Sequence, residues 1–304
     1  MVSIRVAAAP VSFGVFELTA SGNGLPAADS VLDAVVQCGY QGIDLGPAGY
    51  LGDLDSLRRR LADRELALAG GWLEAHFADD VLLQRELETI RATLDLMAAA
   101  ATNGAWRPKP TLAVTGDARR RSAIGQAAHR TDLALDEDGW RRLVKNLRVV
   151  VELCRERNLE PTFHHHLGTF IEAPEEIERL LEATDVGLCL DTGHLLLGGG
   201  DPVKAWHDWT DRINQIHVKD ARLAVMRSVM TDGCDMTEAW RRGIFCRLGD
   251  GDVDLDAFIA AVSASDYSGW VVVEQDVIPD SSTPFEALVA DQRRNREFLR
   301  ARGW

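Results

Sequence analysis

The sequence has no Cys-x-x-Cys pair: its five cysteines, Cys38, Cys154, Cys189, Cys234 and Cys246, are odd in number and scattered. That pattern fits neither a thiolate zinc site nor a disulfide framework, so the thiols are expected to be reduced inside a cell. No block of lysine and arginine gathers positive charge, and 33 Lys+Arg against 47 Asp+Glu leave a net charge of -14. A polyanion such as nucleic acid is therefore not expected as a partner. No run approaches the roughly 18 apolar residues of a membrane span. The opening MVSIRVAAAPVSFG also lacks a basic region followed by a long apolar stretch. These absences predict a cytoplasmic chain that engages no membrane. Also missing are the glycine spacings of dinucleotide and P-loop sites, G-x-S-x-G and H-E-x-x-H. Nicotinamide, nucleoside triphosphate and serine-hydrolase chemistry accordingly lack support.

What is present is a large apolar fraction, 46% of 304 residues, arranged in short runs. Runs suited to buried parallel strands lie at 4–9, 42–45, 67–72, 111–114, 161–165, 187–190, 213–218 and 270–273. Segments with helical spacing alternate with them at 30–38, 53–64, 81–100, 137–157, 175–182, 203–209, 255–263 and 285–302. Eight strand–helix repeats without a linker predict an α/β fold: a (β/α)8 TIM barrel, one domain over residues 1–304. Two connections, 115–136 and 221–254, are too long for turns. Both follow strands, on the side where a barrel builds its site.

Four consecutive strand ends each carry one nitrogen or oxygen ligand: His164 on the fifth, Asp191 on the sixth, His217 on the seventh and Glu274 on the eighth. Each alone has a bland explanation: a helix cap, a satisfied core histidine or an ion-pair partner. Four polar interruptions of four apolar strands at equivalent places are harder to explain separately, and in a barrel those ends converge. Two imidazoles and two carboxylates suit a divalent transition metal better than magnesium. In FHHHLGTF the alternation of side chains puts His164 and His166 on one face and His165 on the other. By the same rule Lys219 follows His217 inward and Asp276 follows Glu274. Lys219 is a cation able to orient a substrate oxygen or stabilise an enolate. His194, in LDTGHLLLGGGDP, is expected on a glycine-flanked loop, reaching a substrate hydroxyl or supporting Asp191.

The segments APVSFGVFE, GIDLGPAGYL, FHHHLGTFIE, GLCLDTGH, IHVKD, FCRLGDGDVDL and VVVEQD resemble the xylose-isomerase-like barrel superfamily of sugar isomerases and epimerases, from about residue 7 to 276. Within it the H-H-H-x-G-T run is most similar to the inosose dehydratases. The resemblance implies a divalent metal, commonly manganese, cobalt or zinc, held by residues of strands five to eight. Epimerases of the group resemble one another in a glutamate at the strand-five position, where this chain has His164. The abasic-site endonucleases of the group need a multi-zinc cluster and a DNA-binding surface, which the acidic balance argues against. The implied reaction is loss of water from a cyclic 2-ketopolyol through a metal-stabilised enolate. Glu274 is the ligand and candidate base, and His166, His194 or Lys219 the candidate acid. Sugar isomerisation or epimerisation is the alternative activity, and a non-catalytic, metal-containing sugar-binding barrel is the alternative class. The expected partner is a small sugar or cyclic polyol, and homo-oligomerisation stays open.

Overall fold

Apolar runs that alternate with amphipathic segments can bury both faces of a sheet only if the helices cover it, and the chain does this eight times around a closed barrel. The computed structural model describes residues 4–16, 25–101, 106–280 and 282–304; Glu17 of the motif APVSFGVFE lies outside them. In chain order the elements begin with β1 (Ile4–Ala8), α1 (Ala28–Cys38), β2 (Gly42–Asp44), α2 (Leu54–Ala62), β3 (Ala67–Ala75), α3 (Asp80–Ala100) and β4 (Lys109–Val114). Next come α4 (Ala118–Ser122), α5 (Glu137–Arg155), β5 (Thr162–His164), α6 (Pro174–Ala183), β6 (Gly187–Asp191), α7 (Thr192–Leu197), α8 (Pro202–Trp209) and β7 (Ile213–Val218). The chain ends with β8 (Asp220–Ala221), α9 (Leu223–Asp232), α10 (Met236–Arg241), β9 (Phe245–Cys246), α11 (Leu255–Ser263), β10 (Gly269–Val273) and α12 (Phe285–Arg300).

The barrel closes in the order β1-β10-β7-β6-β5-β4-β3-β2, parallel throughout, as a (β/α)8 barrel, while β8 and β9 form a separate antiparallel pair. β3 runs three residues beyond the expected end at Trp72. Its glycine pair is needed in space, because a Cβ on Gly70 would lie 2.9 Å from the Lys109 carbonyl oxygen. Eight of the helices start on an aspartate whose carboxylate accepts backbone N–H groups of the first turn: Asp53, Asp79, Asp117, Asp136, Asp191, Asp201, Asp235 and Asp254. Part of the acidic excess is therefore helix capping.

The main core lies between barrel and helices, built from residues such as Leu32, Leu57, Leu94, Leu147, Leu180 and Phe258. A second cluster, including Ile124, Met226, Val229, Met236 and Phe245 of the long connections with Leu167 after β5 and Leu197 of α7, lies over the strand ends. Those connections are structured. The first contains α4 and two 3-10 turns; the second contains the β8–β9 pair, α9 and α10. Asp220 holds the second in place: its carboxylate accepts the backbone N–H groups of Ala221, Gly249, Gly251 and Val253 at 2.8–3.1 Å. No helix among the described residues is long and apolar enough to cross a membrane.

Candidate active site

Barrel register brings the polar strand ends to nearly one level. Asp191 stands opposite His217 across β6 and β7, His164 opposite Cys189 across β5 and β6, and the Glu274 N–H donates to the Val218 carbonyl at 3.1 Å. One ligand atom from each of His164, Asp191, His217 and Glu274 lies within 4.8 Å of the others. His164 Nε2 is 3.3 Å from Asp191 Oδ2, and His217 Nδ1 is 3.3 Å from Glu274 Oε2. Asp191 serves two purposes: Oδ1 accepts the His194 N–H at 2.8 Å and starts α7, which leaves Oδ2 for the barrel axis.

The donor chemistry fits a metal ion. Asp191 Oδ2, His164 Nδ1 and both ring nitrogens of His217 are buried without a hydrogen-bond partner. Such atoms are costly in a dry interior, and a divalent cation would satisfy Asp191 Oδ2 and one nitrogen of each imidazole. Burial would raise the Asp191 carboxyl, but Lys219 and His164 outweigh it and hold it well below the usual carboxylate range.

A second group, His166, His194 and Asp276, also brings its ligand atoms within 4.8 Å of one another. Here a cation is already in place. Lys219 Nζ forms ion pairs with Glu274 Oε2 and Asp276 Oδ1, both at 2.9 Å, contacts His194 Nε2 at 3.2 Å, and sits 4.7 Å from the Phe245 ring centre. Gly193 makes room for it, since a Cβ there would meet Lys219 Cγ at 2.9 Å. Burial works against the ammonium, yet Asp191, Asp276 and Glu274 overcome it and push Lys219 well above the usual lysine range. The Asp276 carboxyl is raised by burial to about 6 although Lys219 opposes the shift.

The three consecutive histidines separate as side-chain alternation requires. His165 points away from the cavity and accepts the Asp191 N–H on Nε2 at 3.3 Å; burial keeps it neutral, with its pKa lowered to about 3. His166 donates from Nδ1 to the Leu167 carbonyl at 2.8 Å, and burial, helped by His164 and Lys219, likewise lowers it to about 3. Its Nε2 is left as an acceptor.

A cavity of about 420 Å³ opens over this centre. Its wall includes His164, His166, Lys219, Glu274 and Asp276 from the expected set. His194 requires a correction. Because Asp191 caps a helix at once, His194 lies in α7 and not on a loop, 1% exposed, behind Lys219 and outside the cavity wall. Its ring packs against His166, with centres 3.8 Å apart. The sequence reading missed much of the outer wall: Asp44 and Glu74 on β2 and β3, Trp72, Arg121 on α4, and Asp235 and Trp240 around α10. Asp44 and Glu74 could have been found by extending the strand-end rule to the early strands. Arg121 and Trp240 lie on the two long connections expected on this side of the barrel, although neither was singled out as a site residue.

A model of the xylose isomerase-like TIM barrel family matches residues 32–301. The chain belongs to that family. The inosose dehydratase of Geobacillus kaustophilus is 32% identical over 284 residues, 92% of this chain and 90% of its own length. That of Bacillus velezensis is 30% identical over 273 residues, 88% of each chain. The crystal structure of the IOLI protein with a bound zinc atom shares the fold, with a TM-score of 0.68 at 14% identity over 99% of both chains.

Proposed function

We propose that this family member is a metal-dependent hydro-lyase that removes water from a cyclic 2-ketopolyol of the 2-keto-myo-inositol type. The observation that carries the reading is the fixed Lys219 ammonium, facing the cavity beside the convergent His164–Asp191–His217–Glu274 group. Similarity to the two inosose dehydratases supports the substrate class. Those four residues would hold manganese, cobalt or zinc. Bound there, the ion supplies Lewis acidity toward a ketone oxygen, which acidifies the neighbouring C–H.

The chain's own groups divide the proton work. His166, neutral and with Nε2 available, accepts the α proton, while Glu274, whose carboxyl His217 and Lys219 hold low against burial, serves as a ligand. Lys219, the charged donor at the wall, gives a proton to the departing β hydroxyl, which leaves as water. After product release His166 loses its proton to solvent and Lys219 regains one, since both line the open cavity.

The test is to incubate metal-loaded protein with 2-keto-myo-inositol and follow product mass. Loss of one water is expected. Solvent deuterium entering at otherwise unchanged mass would favour isomerisation or epimerisation instead, and saturable binding without turnover would favour a sugar-binding barrel.

A further inference from the structure

Cys189 is fully buried on the barrel axis, and the mechanism above gives it no role. It lies on β6 two residues before Asp191, one pleat repeat deeper in the barrel, roughly 6.6 Å by strand rise. It is the register partner of His164. One ligand atom from each of His164, Cys189 and His217 lies within 4.8 Å of the others. The three residues are 2%, 0% and 1% exposed. His164 Nδ1 has no hydrogen-bond partner, and the His217 ring faces both Cys189 and Glu274.

We propose that His164, Cys189 and His217 form a second, deeper metal position that takes thiophilic divalent ions such as zinc and cadmium and competes with the oxygen-rich position above it. The two sets share both imidazoles and differ in their remaining ligands: the upper offers the carboxylates of Asp191 and Glu274, the lower a thiol. Ligand softness decides between them, because manganese prefers carboxylates while zinc and cadmium gain from sulfur. A tetrahedral ion at about 2.0–2.3 Å from its ligands needs them roughly 3.3–3.6 Å apart, a contraction that small imidazole and thiol rotations supply. On binding, the thiol releases its proton to solvent and a metal–sulfur bond forms, with no redox change. Excess zinc or cadmium then draws His164 and His217 away from the upper carboxylates, so a soft metal inhibits where a hard one activates. This inference goes beyond the hydro-lyase reading and does not need that activity.

The test uses cobalt(II) as an optical probe on metal-free full-length protein. Expected in the native chain are the visible bands of bound cobalt together with a near-ultraviolet thiolate-to-cobalt band. In Cys189→Ser the thiolate band should vanish while manganese affinity stays within about tenfold, the lower end of the cost of losing a partner of a metal ligand. Cadmium NMR of the unmodified protein gives a reading independent of the variant's folding: a resonance in the sulfur-ligated range is expected. Bound cobalt without the thiolate band, or a band that survives Cys189→Ser, overturns the deeper position and leaves the hydro-lyase proposal standing. Failure of cobalt and manganese to bind at all overturns both.

Discussion

Asp191 at the barrel mouth and Glu172 in the loop layer beside it are equally shielded from water, 0% and 1% exposed, yet their carboxyls shift in opposite directions. Asp191 has Lys219 and His164 within 3.4 Å and is held well below the usual range despite burial. Glu172 accepts the backbone N–H groups of Gly168 at 2.6 Å and Ala127 at 3.2 Å, and burial pushes it up to about 7. The buried cation beside it, Arg120, instead pairs with Glu176. Burial is thus common to both regions, and the position of the cations separates a charged mouth from a loop layer tied by an acid that burial keeps partly protonated.

Removing the cation should have the largest effect. Lys219→Met leaves Asp191, Glu274 and Asp276 buried without their ammonium, and breaking one partner of a buried pair costs about 3–5 kcal/mol. Metal-free variant should melt well below metal-free native protein, with a smaller gap once metal is bound. Loss of the acid should also lower kcat by about 10²–10⁴-fold. An unchanged kcat in folded, metal-loaded variant would remove Lys219 from the mechanism. Next in size is Asp191→Asn. Asparagine still caps α7, so circular dichroism should not change. Metal affinity, measured by calorimetry, should fall by more than about 100-fold, beyond the loss typical of an outer partner. Native affinity in this variant would show that Asp191 is a cap and nothing more.

Glu172→Gln tests the other side of the comparison. The folded-state pKa of about 7 lies above the ordinary 4.5, so the folded protein binds the proton more tightly than the unfolded chain. Stability from this group is therefore fully present below about pH 4.5 and lost as pH rises through about 7, a change of roughly 3 kcal/mol at most. Glutamine cannot ionise. Native-minus-variant stability from denaturant curves should decline across that window, and a flat difference would mean that Glu172 titrates normally.

The fold was readable because parallel strands buried on both faces leave uninterrupted apolar runs, and these lie within a few residues of all eight barrel strands. The exception is the far end of β3, where Glu74 interrupts the apolar run just past Trp72 and Leu73. Side-chain alternation separated His165 from His164 and His166, because period two survives in any strand end. The helical placement of His194 was not readable: LDTGHLLLGGG has the glycines of a loop, and only the Asp191 carboxylate on the His194 N–H explains why a helix begins there. Nor was Cys189 singled out. A buried cysteine in an apolar strand looks like core until the neighbouring strands supply two imidazoles.

His164→Glu makes the smallest and sharpest change to the comparison, because it adds one carboxylate to the region that already has cations. The native mouth contains Asp191, Glu274 and Asp276 against Lys219, so a divalent ion brings the group to neutrality with imidazoles at positions 164 and 217. A glutamate at 164 leaves one net negative charge beside the substrate's ketone. That charge opposes the build-up of negative charge as the α proton leaves, while adding an oxygen ligand that manganese accepts readily. Metal occupancy should therefore be retained while the dehydration rate at saturating metal falls about tenfold, equivalent to 1.4 kcal/mol. The variant also removes one imidazole from the deeper thiophilic set, so cadmium inhibition should weaken in the same preparation. Equal dehydration rates at matched occupancy would show that His164 does not tune this chemistry and that charge balance at the mouth is set elsewhere.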